Sequence, residues 1–388
     1  MRRGRIILGI SFFLLILARV LASQILAGED KPLKPYKVGA IFAITGAASW
    51  LGEPERNTVK MIEEEINALG GINGHPLKVI VEDTVGDETK AVMAVKKLIE
   101  KDKVLAIVGP SRSGTTLAVI PIVERAKIPL ISCAAAEAIV APVKPWVFKT
   151  PQKDSDAVVK IYEYMNKHQI SKVAIITGTT GFGSEGRKQL KKLAPEFGIT
   201  IVADETYGPK DTDMTAQLTR IKATDAQAVI NWSIVPAQAI VVKNMRQLGM
   251  TIPLFQSHGF GNIKYAEMAG EAAEGLIFPA GRLLAVDTLP ETHPQKEVLT
   301  RYKERYESKY GENVSTFGGH AWDALQLVIL ALRAVGPDRE RIRVFIENVK
   351  GFVGTGGIFY YSPEDHTGLN KEAFEMLTVK KGKFVVLK

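Results

Sequence analysis

Hydroxyl and small residues follow a short apolar run near residue 110 of the 388-residue chain. Residues 104–108 have the continuous apolar character of a buried parallel strand, and Ser111 and the run Ser113-Gly114-Thr115 come shortly after it. An apolar-periodic segment over residues 117–126 then predicts a helix. Because a helix N-terminus presents free N–H groups and the positive end of its dipole, this turn suits an anionic group. Equally, Ser113 and Thr115 could do no more than cap the helix.

A second predicted strand also ends in small residues. Residues 128–131 are apolar and are followed by Ser132 and by a small-residue run that includes Ala134 and Ala136. Neighbouring parallel strands end at the same edge of a sheet, so both ends can contribute to one site. Cys133, the single cysteine of the chain, cannot form an internal disulfide, and its expected role is that of a small buried residue.

A glycine motif at residues 181–186 matches the dinucleotide fingerprint G-x-G-x-x-G. It follows the predicted strand KVAIIT and opens a helix, and Asp204 lies about 20 residues further on, as the fingerprint requires. Strand-to-helix turns favour glycine for backbone reasons alone, however. A nicotinamide-dependent oxidoreductase is therefore a minor alternative. The export signal described below argues against it, because nicotinamide cofactors are not available outside the cytoplasm.

The rest of the sequence contains no recognisable catalytic or metal-binding motif. The six histidines are scattered, and none has the spacing of a metal site. No G-x-S-x-G nucleophile motif occurs. The sequence therefore predicts a protein that is not an enzyme and that needs no cofactor and no metal.

The first 27 residues have the pattern of an export signal. Arg2, Arg3 and Arg5 precede an apolar core over residues 6–18, and small residues permit cleavage after Ala22 or Ala27. The core is too short to span a bilayer, and the cleavage region has no cysteine for a lipid anchor. Residues 1–27 are thus predicted to be a cleaved signal peptide, and the mature protein is predicted to be periplasmic.

Charge and length narrow the class of protein further. Loss of the four arginines of the signal segment, which has no acidic residue, lowers the formal net charge from +8 to +4. Basic and acidic residues are interspersed without a basic block, so nucleic acid is not an expected partner. The remaining chain of about 360 residues exceeds one ordinary hydrophobic core and predicts two domains.

Strand-like and helix-like segments alternate over most of the mature chain. Such alternation predicts βαβ units, parallel sheets and right-handed crossovers. It forms two similar halves of about five strands each, over residues 37–149 and 172–279, with a break at residues 142–145. Three further helices are predicted over residues 294–310, 316–335 and 339–349, and closing strands over residues 357–361, 374–380 and 383–387. The expected fold class is therefore α/β.

An ordered series of segments resembles the periplasmic substrate-binding proteins of the leucine/isoleucine/valine class of ABC transporters. The segments are KVGAIFAITGAASWLGEPERNTVKMIEEEINALGGINGHPLKVIVED, VLAIVGPSRSGTT, IPLISCAAAE, PWVFKTPQKDSDA, KVAIITGTTGFGSEGRKQL, DTDMTAQLTRIKATDAQAVI and AGEAAEGLIFPA. Each segment is a weak signal alone, but the series covers essentially the whole mature chain. The resemblance implies a type I periplasmic-binding-protein fold, in which two Rossmann-like lobes with parallel sheets are joined by a three-strand hinge.

The resemblance also implies where the lobes and the ligand lie. Lobe 1 is expected over residues 36–150 and 281–350, and lobe 2 over residues 151–280 and 351–388. In this family the turn that contains Ser113 holds a ligand carboxylate, and the turn at residues 134–136 completes that contribution. Aromatic and apolar residues are expected to form a wall. The expected ligand-binding residues are Trp50, Leu51, Ser113, Gly114, Thr115, Ala134, Ala136, Phe182, Trp232 and His258.

Two departures from the family pattern concern the ligand's amino group. Amino-acid binders usually have a hydroxyl residue where this chain has Ala136, and an acidic residue where it has His258. A buried ammonium without those groups loses a charge-assisted hydrogen bond of about 1.5 to 3 kcal/mol and stays desolvated. We therefore expect a small carboxylate-bearing ligand, which is either an amino acid or, because these two groups are lost, an aromatic or branched organic acid without an α-amino group. His258 is then either a second hydrogen-bonding or anion-pairing group or a histidine of a surface loop.

The sequence thus predicts a monomeric periplasmic receptor that delivers a small carboxylate-bearing ligand to a membrane-embedded ABC permease. The alternative in another class is a periplasmic sensory module that presents its ligand to a receptor kinase. The fold alone does not separate these two functions.

Overall fold

The computed structural model describes residues 33–387, so the predicted signal peptide lies outside the described residues. The strands are β1 (Tyr36–Phe42), β2 (Leu77–Asp83), β3 (Ile107–Val108), β4 (Leu130–Ser132), β5 (Val147–Lys149), β6 (Lys172–Gly178), β7 (Thr200–Tyr207), β8 (Ala228–Trp232), β9 (Leu254–Gln256), β10 (Ile277–Gly281), β11 (Lys350–Val353), β12 (Ile358–Tyr360), β13 (Phe374–Lys380) and β14 (Lys383–Val386). The α-helices are α1 (Ser49–Ala68), α2 (Glu88–Lys97), α3 (Ser113–Ala126), α4 (Asp154–Lys167), α5 (Gly181–Leu193), α6 (Thr215–Lys222), α7 (Ala237–Gln247), α8 (Ile263–Ala269), α9 (Lys296–Tyr310), α10 (Thr316–Val335) and α11 (Arg339–Glu347).

Two sheets organise the molecule. The first has five parallel strands in the order β2-β1-β3-β4-β5. The second has seven strands in the order β14-β13-β10-β9-β8-β6-β7, in which β13 and β14 join antiparallel to a parallel set of five. Helices follow most of the parallel strands, as right-handed βαβ units require. The predicted α/β fold with two parallel sheets is confirmed.

Apolar runs in the sequence become the buried centres of these sheets. The strand β8 (Ala228–Trp232) is buried along its whole length, as a central parallel strand covered on both faces should be. Helix α10 (Thr316–Val335) buries most of its residues in the core of the first sheet. Its bounds match the predicted helix because its apolar residues recur with helical periodicity over five turns.

Local boundaries differ from the sequence pattern next to the first sheet. Strand β3 contains only Ile107 and Val108, although the apolar run begins at residue 104. Helix α3 begins at Ser113, four residues before the apolar periodicity starts. Polar residues are compatible with this first turn because its N–H groups need no intrahelical acceptor.

Three crossings of the chain connect the two sheets. The first lies between β5 and α4, and the second follows β10. The third lies near residue 373, because Phe359 and Tyr361 pack in the first core whereas Leu377 and Val379 pack in the second. Residues 351–373 therefore belong with the first lobe, which corrects the expected boundary at residue 351. The stacking of Phe352 on Trp322 of α10, with ring centroids 6.2 Å apart, is one reason.

Side chains tie the first crossing to the first lobe and the other two crossings to each other. Thr150 Oγ1 donates to the His320 carbonyl at 2.9 Å, and Gln152 Nε2 donates to the Gly356 carbonyl at 2.8 Å. Arg282 binds the Glu375 carboxylate at 2.8 Å across the other two crossings. None of the helices within residues 33–387 is long and apolar enough to cross a lipid bilayer.

Candidate functional site

A small cavity of about 30 Å³ lies between the lobes. It is surrounded by the residues that follow the central strands of both sheets, where ligands bind in open α/β folds. The lining residues are Leu51, Ser111, Ser113, Cys133, Ala134, Ala135, Pro151, Phe182, Ile234, His258, Gly259, Thr316, Phe317 and His320.

Ser113 brings the N-terminus of α3 to the cavity. Its Oγ accepts a hydrogen bond from Ala136 N at 3.3 Å, which leaves the hydroxyl proton free to be donated. The N-cap residue, Arg112, makes no side-chain cap. Because the first-turn N–H groups of a helix lack intrahelical acceptors, this end of the cavity suits a carboxylate.

Thr115 and Gly114 lie outside the lining, although both were expected at the ligand. The Thr115 and Thr116 hydroxyls each donate to the Arg112 carbonyl at 2.9 Å and therefore serve their own helix. Gly114 packs against the other lobe, where a Cβ on Gly181 would lie 2.8 Å from Gly114 N. Neither Ser113 nor Thr115 occupies the N-cap position, so simple capping does not account for this turn.

Leu51 and Ala134 line the cavity as expected, whereas Trp50 and Ala136 do not. The Trp50 carbonyl accepts a hydrogen bond from Asn262 Nδ2 at 2.9 Å, so this residue connects the lobes beside the cavity. Ala136 is fully buried, and its N–H is directed to Ser113. Ala136 therefore contributes to the site through its backbone N–H, which positions Ser113, and not through its side chain.

Phe182 and His258 line the second-lobe wall, and Trp232 lies behind them. The Trp232 ring centroid is 5.8 Å from that of Phe182 and 5.5 Å from that of His258. Trp232 is fully buried and outside the lining, so it supports the wall without forming its surface. His258 is buried rather than in an exposed loop.

The glycine motif at residues 181–186 has a packing role. A Cβ on Gly183 would lie 1.9 Å from the Gly178 carbonyl oxygen, and one on Gly186 would lie 2.0 Å from Trp232 Nε1. Asp204 accepts two hydrogen bonds from Arg187, at 2.6 and 2.7 Å, within the same lobe. These contacts explain the fingerprint residues without a dinucleotide.

Two buried histidines face the cavity, His258 from the second lobe and His320 from the first. Within the described residues, three ring nitrogens have no hydrogen-bond partner: both nitrogens of His258 and Nδ1 of His320. Burial lowers the pKa of His258 well below its usual range and that of His320 to about 3, and the nearby Lys149 ammonium contributes to both shifts. Both imidazoles are therefore neutral at neutral pH, and each offers one donor and one acceptor.

Two buried carboxyl groups lie just outside the lining. Glu55 is hydrogen-bonded to the Ser111 hydroxyl, and burial raises the pKa of this glutamate well above its usual range. Asp154 Oδ1 lies 3.4 Å from His258 Nε2. Burial raises the pKa of Asp154 to about 7, although Lys149 opposes this shift. Neither carboxyl group reaches the cavity surface.

The lining residues that were not predicted come mostly from the ends of elements. They are Ser111, Cys133, Ala135, Pro151, Ile234, Gly259, Thr316, Phe317 and His320. Ser111, Cys133 and Ala135 belong to the two strand ends already identified, so their neighbourhood was a usable signal. Thr316 and His320 are four residues apart at the start of a helix and therefore share one face, but nothing in the sequence places that face at the cavity.

The residues that line the cavity are uncharged and include both polar and apolar side chains. Three hydroxyl residues and two imidazoles stand among apolar side chains, and none of the described lining residues is an aspartate, glutamate, lysine or arginine. In residues 33–387 no group of three or more histidine, cysteine, aspartate or glutamate side chains is placed to hold a metal ion. The site therefore offers hydrogen bonds to a small ligand but no carboxylate for an ammonium group.

Comparisons with known proteins identify relatives across nearly the whole described chain. The family model for periplasmic binding proteins matches residues 35–383. A leucine-, isoleucine-, valine-, threonine- and alanine-binding protein of Pseudomonas aeruginosa is 22% identical over 332 residues, which are 84% of this chain and 86% of that protein.

Solved structures of periplasmic and extracellular binding proteins are similar to this chain in fold as well as in sequence. An extracellular ligand-binding receptor from Rhodopseudomonas palustris has a TM-score of 0.86 at 27% identity, with 91% of this chain and 99% of that chain covered. The branched-chain amino acid transporter substrate binding protein LivJ from Streptococcus pneumoniae, in complex with isoleucine, has a TM-score of 0.81 at 26% identity, with 92% and 100% covered.

Proposed function

The chain belongs to the periplasmic binding protein family, and we propose that it is a solute receptor of the branched-chain-amino-acid type whose ligand is a small carboxylic acid without an α-ammonium group. The observation that carries the proposal is the uncharged lining, in which hydroxyl and N–H donors have no accompanying carboxylate. Family membership supports the receptor function, and the lining supports the class of ligand.

The proposed ligand has a carboxylate at one end and an apolar body. The carboxylate lies against Ser113 and the first turn of α3, where donors converge. The body lies against Leu51, Phe182 and Phe317, which supply an apolar surface. The ammonium group of leucine would be desolvated here without an acidic partner, which is unfavourable.

The descriptions of the relatives support delivery of the ligand from the periplasm to a membrane-embedded permease. The Streptococcus pneumoniae protein is described as a transporter substrate binding protein, and the Pseudomonas aeruginosa protein as a binding protein for amino acids. We extend the transport role, a periplasmic location after removal of residues 1–27 and a monomeric state to this chain as parts of the proposal.

The test uses pairs of ligands that differ only in the α-amino group. Isothermal titration compares leucine with 4-methylpentanoate, and phenylalanine with 3-phenylpropanoate. We expect the acid of at least one pair to bind at least about tenfold more tightly than its amino acid, because the ammonium lacks a charged partner. Tighter binding of the amino acid in both pairs contradicts the proposed ligand class.

A cavity-filling variant tests whether binding occurs between the lobes. Leu51→Trp places a larger side chain in the lining and should abolish binding of the preferred acid. Leu69→Trp is the control, because Leu69 is 82% exposed on the surface. Circular dichroism establishes that both variants fold. A folded Leu51→Trp protein that binds the acid as the wild type does would move the site elsewhere.

A further inference from the structure

Lys149 is a buried cation next to the cavity that the site described above does not use. It ends β5 and is fully buried, with the register of the sheet placing it beside Ser132. Its Nζ donates to the Ala135 carbonyl at 2.6 Å and to the Gln152 carbonyl at 3.1 Å. Ala135 is a lining residue, so the ammonium lies one peptide group behind the cavity surface.

The positive charge of Lys149 is incompletely compensated by protein groups. Among the described residues, no carboxylate oxygen lies within 4.0 Å of Lys149 Nζ, and its two hydrogen-bond acceptors are neutral carbonyls. Asp154 is the main acidic neighbour, and neither of its oxygens has a hydrogen-bond partner. A buried ammonium in this setting is stabilised by an anion nearby.

One peptide group connects this ammonium to the predicted carboxylate position. Lys149 binds the carbonyl of Ala135, and the N–H of the same peptide belongs to Ala136 and donates to Ser113 Oγ at 3.3 Å. Ser113 Oγ is thereby occupied as an acceptor, so its own proton is directed to another acceptor. Hydrogen bonds in such a chain polarise one another, which strengthens the last donor.

We propose that Lys149 is a positioning residue that selects anionic ligands, because it polarises the Ala135–Ala136 peptide and so orients the Ser113 hydroxyl proton towards the ligand carboxylate. The inference rests on the proposed function, since it concerns the same cavity. It adds the source of the charge preference, which none of the uncharged lining side chains supplies.

The test compares a carboxylate with its uncharged amide in wild type and in Lys149→Met. The probes are 4-methylpentanoate and 4-methylpentanamide, with 3-phenylpropanoate and its amide as a second pair. In the variant we expect carboxylate affinity to fall by about tenfold or more, the cost of losing a charged hydrogen-bond partner, while amide affinity changes by less than about threefold. Lys153→Met is the control, because that side chain is 29% exposed and pairs with Asp365.

The outcomes separate this inference from the proposed function. An equal loss for acid and amide in Lys149→Met means that the lysine only supports the fold, and unchanged acid binding in the variant overturns the inference directly. Wild type that binds the acid and amide equally also overturns it. Wild type that binds neither acid overturns the proposed function together with the inference.

Proton uptake provides a second measurement should Lys149→Met fail to fold. Burial lowers the pKa of Lys149 to about 8, and the groups that influence it are Asp154, Lys153, Glu137 and Asp156. A bound carboxylate favours the charged lysine, so wild type at pH 8.5 should take up protons on binding the acid and none on binding the amide. Titration in two buffers of different ionisation enthalpy measures this uptake, and equal uptake with both ligands contradicts the inference.

Discussion

Each lobe presents a strand-to-helix turn to the cavity, and the two turns have opposite character. In the first lobe, α3 begins at Ser113, whose hydroxyl lines the cavity. In the second lobe, α5 begins at Gly181, and Phe182 covers the cavity side of the turn. The space around its glycines is filled by Gly178 and by Trp232.

The comparison shows that a glycine-rich turn has no fixed chemical meaning. The second turn matches a nucleotide fingerprint, yet its glycines allow close packing of α5 on its own strand. The first turn matches no such fingerprint, yet its Ser113 hydroxyl lines the cavity. The two turns differ in what surrounds them: the first turn borders the cavity, whereas the glycines of the second turn are packed against other protein atoms. The predictions below test that difference, from the largest expected effect to the smallest.

Gly183→Ala should destabilise the protein by about 3 kcal/mol, since the new Cβ would meet the Gly178 carbonyl, a backbone atom that cannot rotate away. Gly114→Ala is the matched change in the first turn. There the Cβ would lie 2.5 Å from Glu88 Oε1, the end of a flexible side chain, so a change below about 1 kcal/mol is expected. Urea unfolding measures both. Equal losses would remove the distinction between the turns.

His320 should make the free energy of unfolding of the protein decrease at acidic pH. Its pKa is lowered to about 3 by burial, so between pH 6.5 and pH 5 the unfolded chain binds a proton that the folded protein does not. Stability is therefore lost as the pH falls, by at most about 2 kcal/mol over this window. His320→Gln should lose less stability over the same window, as measured by urea unfolding at both pH values. Asp154, whose raised pKa acts in the opposite direction, is present in both proteins. Parallel pH profiles would contradict the assignment.

Ser113→Ala should weaken binding of the preferred acid by about tenfold, the cost of one hydrogen bond to a charged group. Thr115→Val should change affinity by less than about threefold, because the Thr115 hydroxyl donates to the Arg112 carbonyl within its own helix. Isothermal titration distinguishes the two. A larger loss in Thr115→Val would return Thr115 to the site in place of Ser113.

Asp204→Asn should have the smallest effect, a loss of about 0.2 to 1 kcal/mol in stability, because it breaks a partly exposed ion pair with Arg187. Thermal unfolding measures the loss. Addition of NAD should leave the melting temperature of both wild type and variant unchanged. An NAD-dependent rise in wild type that the variant lacks would restore the nucleotide interpretation of the second turn.

The parts of the fold that were predictable are those determined by local patterns. Helix α10 and strand β13 have the bounds expected from periodicity, because a helical stripe or a strand alternation spans each of them. The two parallel sheets followed from strand and helix alternation. The third crossing was misplaced because residues 351–373 owe their position to aromatic packing on a helix of the first lobe, which leaves no periodic signal.

The candidate site was predictable to the level of segments rather than side chains. Both strand ends singled out in the first lobe do reach the cavity, through Ser113 and Ala134. Thr115 is two residues from Ser113, which turns its side chain by about 200° around the helix axis and away from the cavity. In the sequence Lys149 is an ordinary charged residue at the end of a strand, and only the structure shows that it is buried beside a residue that lines the cavity.

The sequence by itself determined the family, the α/β class and the segments that end at the cleft, because these depend on patterns within short stretches. Only the tertiary structure decided which side chains face the cavity and which support it. The Trp50 carbonyl meets Asn262 across 212 residues of chain, and Thr150 meets His320 across 170. Residues so far apart in the chain come into contact only when separately folded surfaces pack together. Which hydrogen bonds form there depends on the donors and acceptors that each surface leaves without a partner.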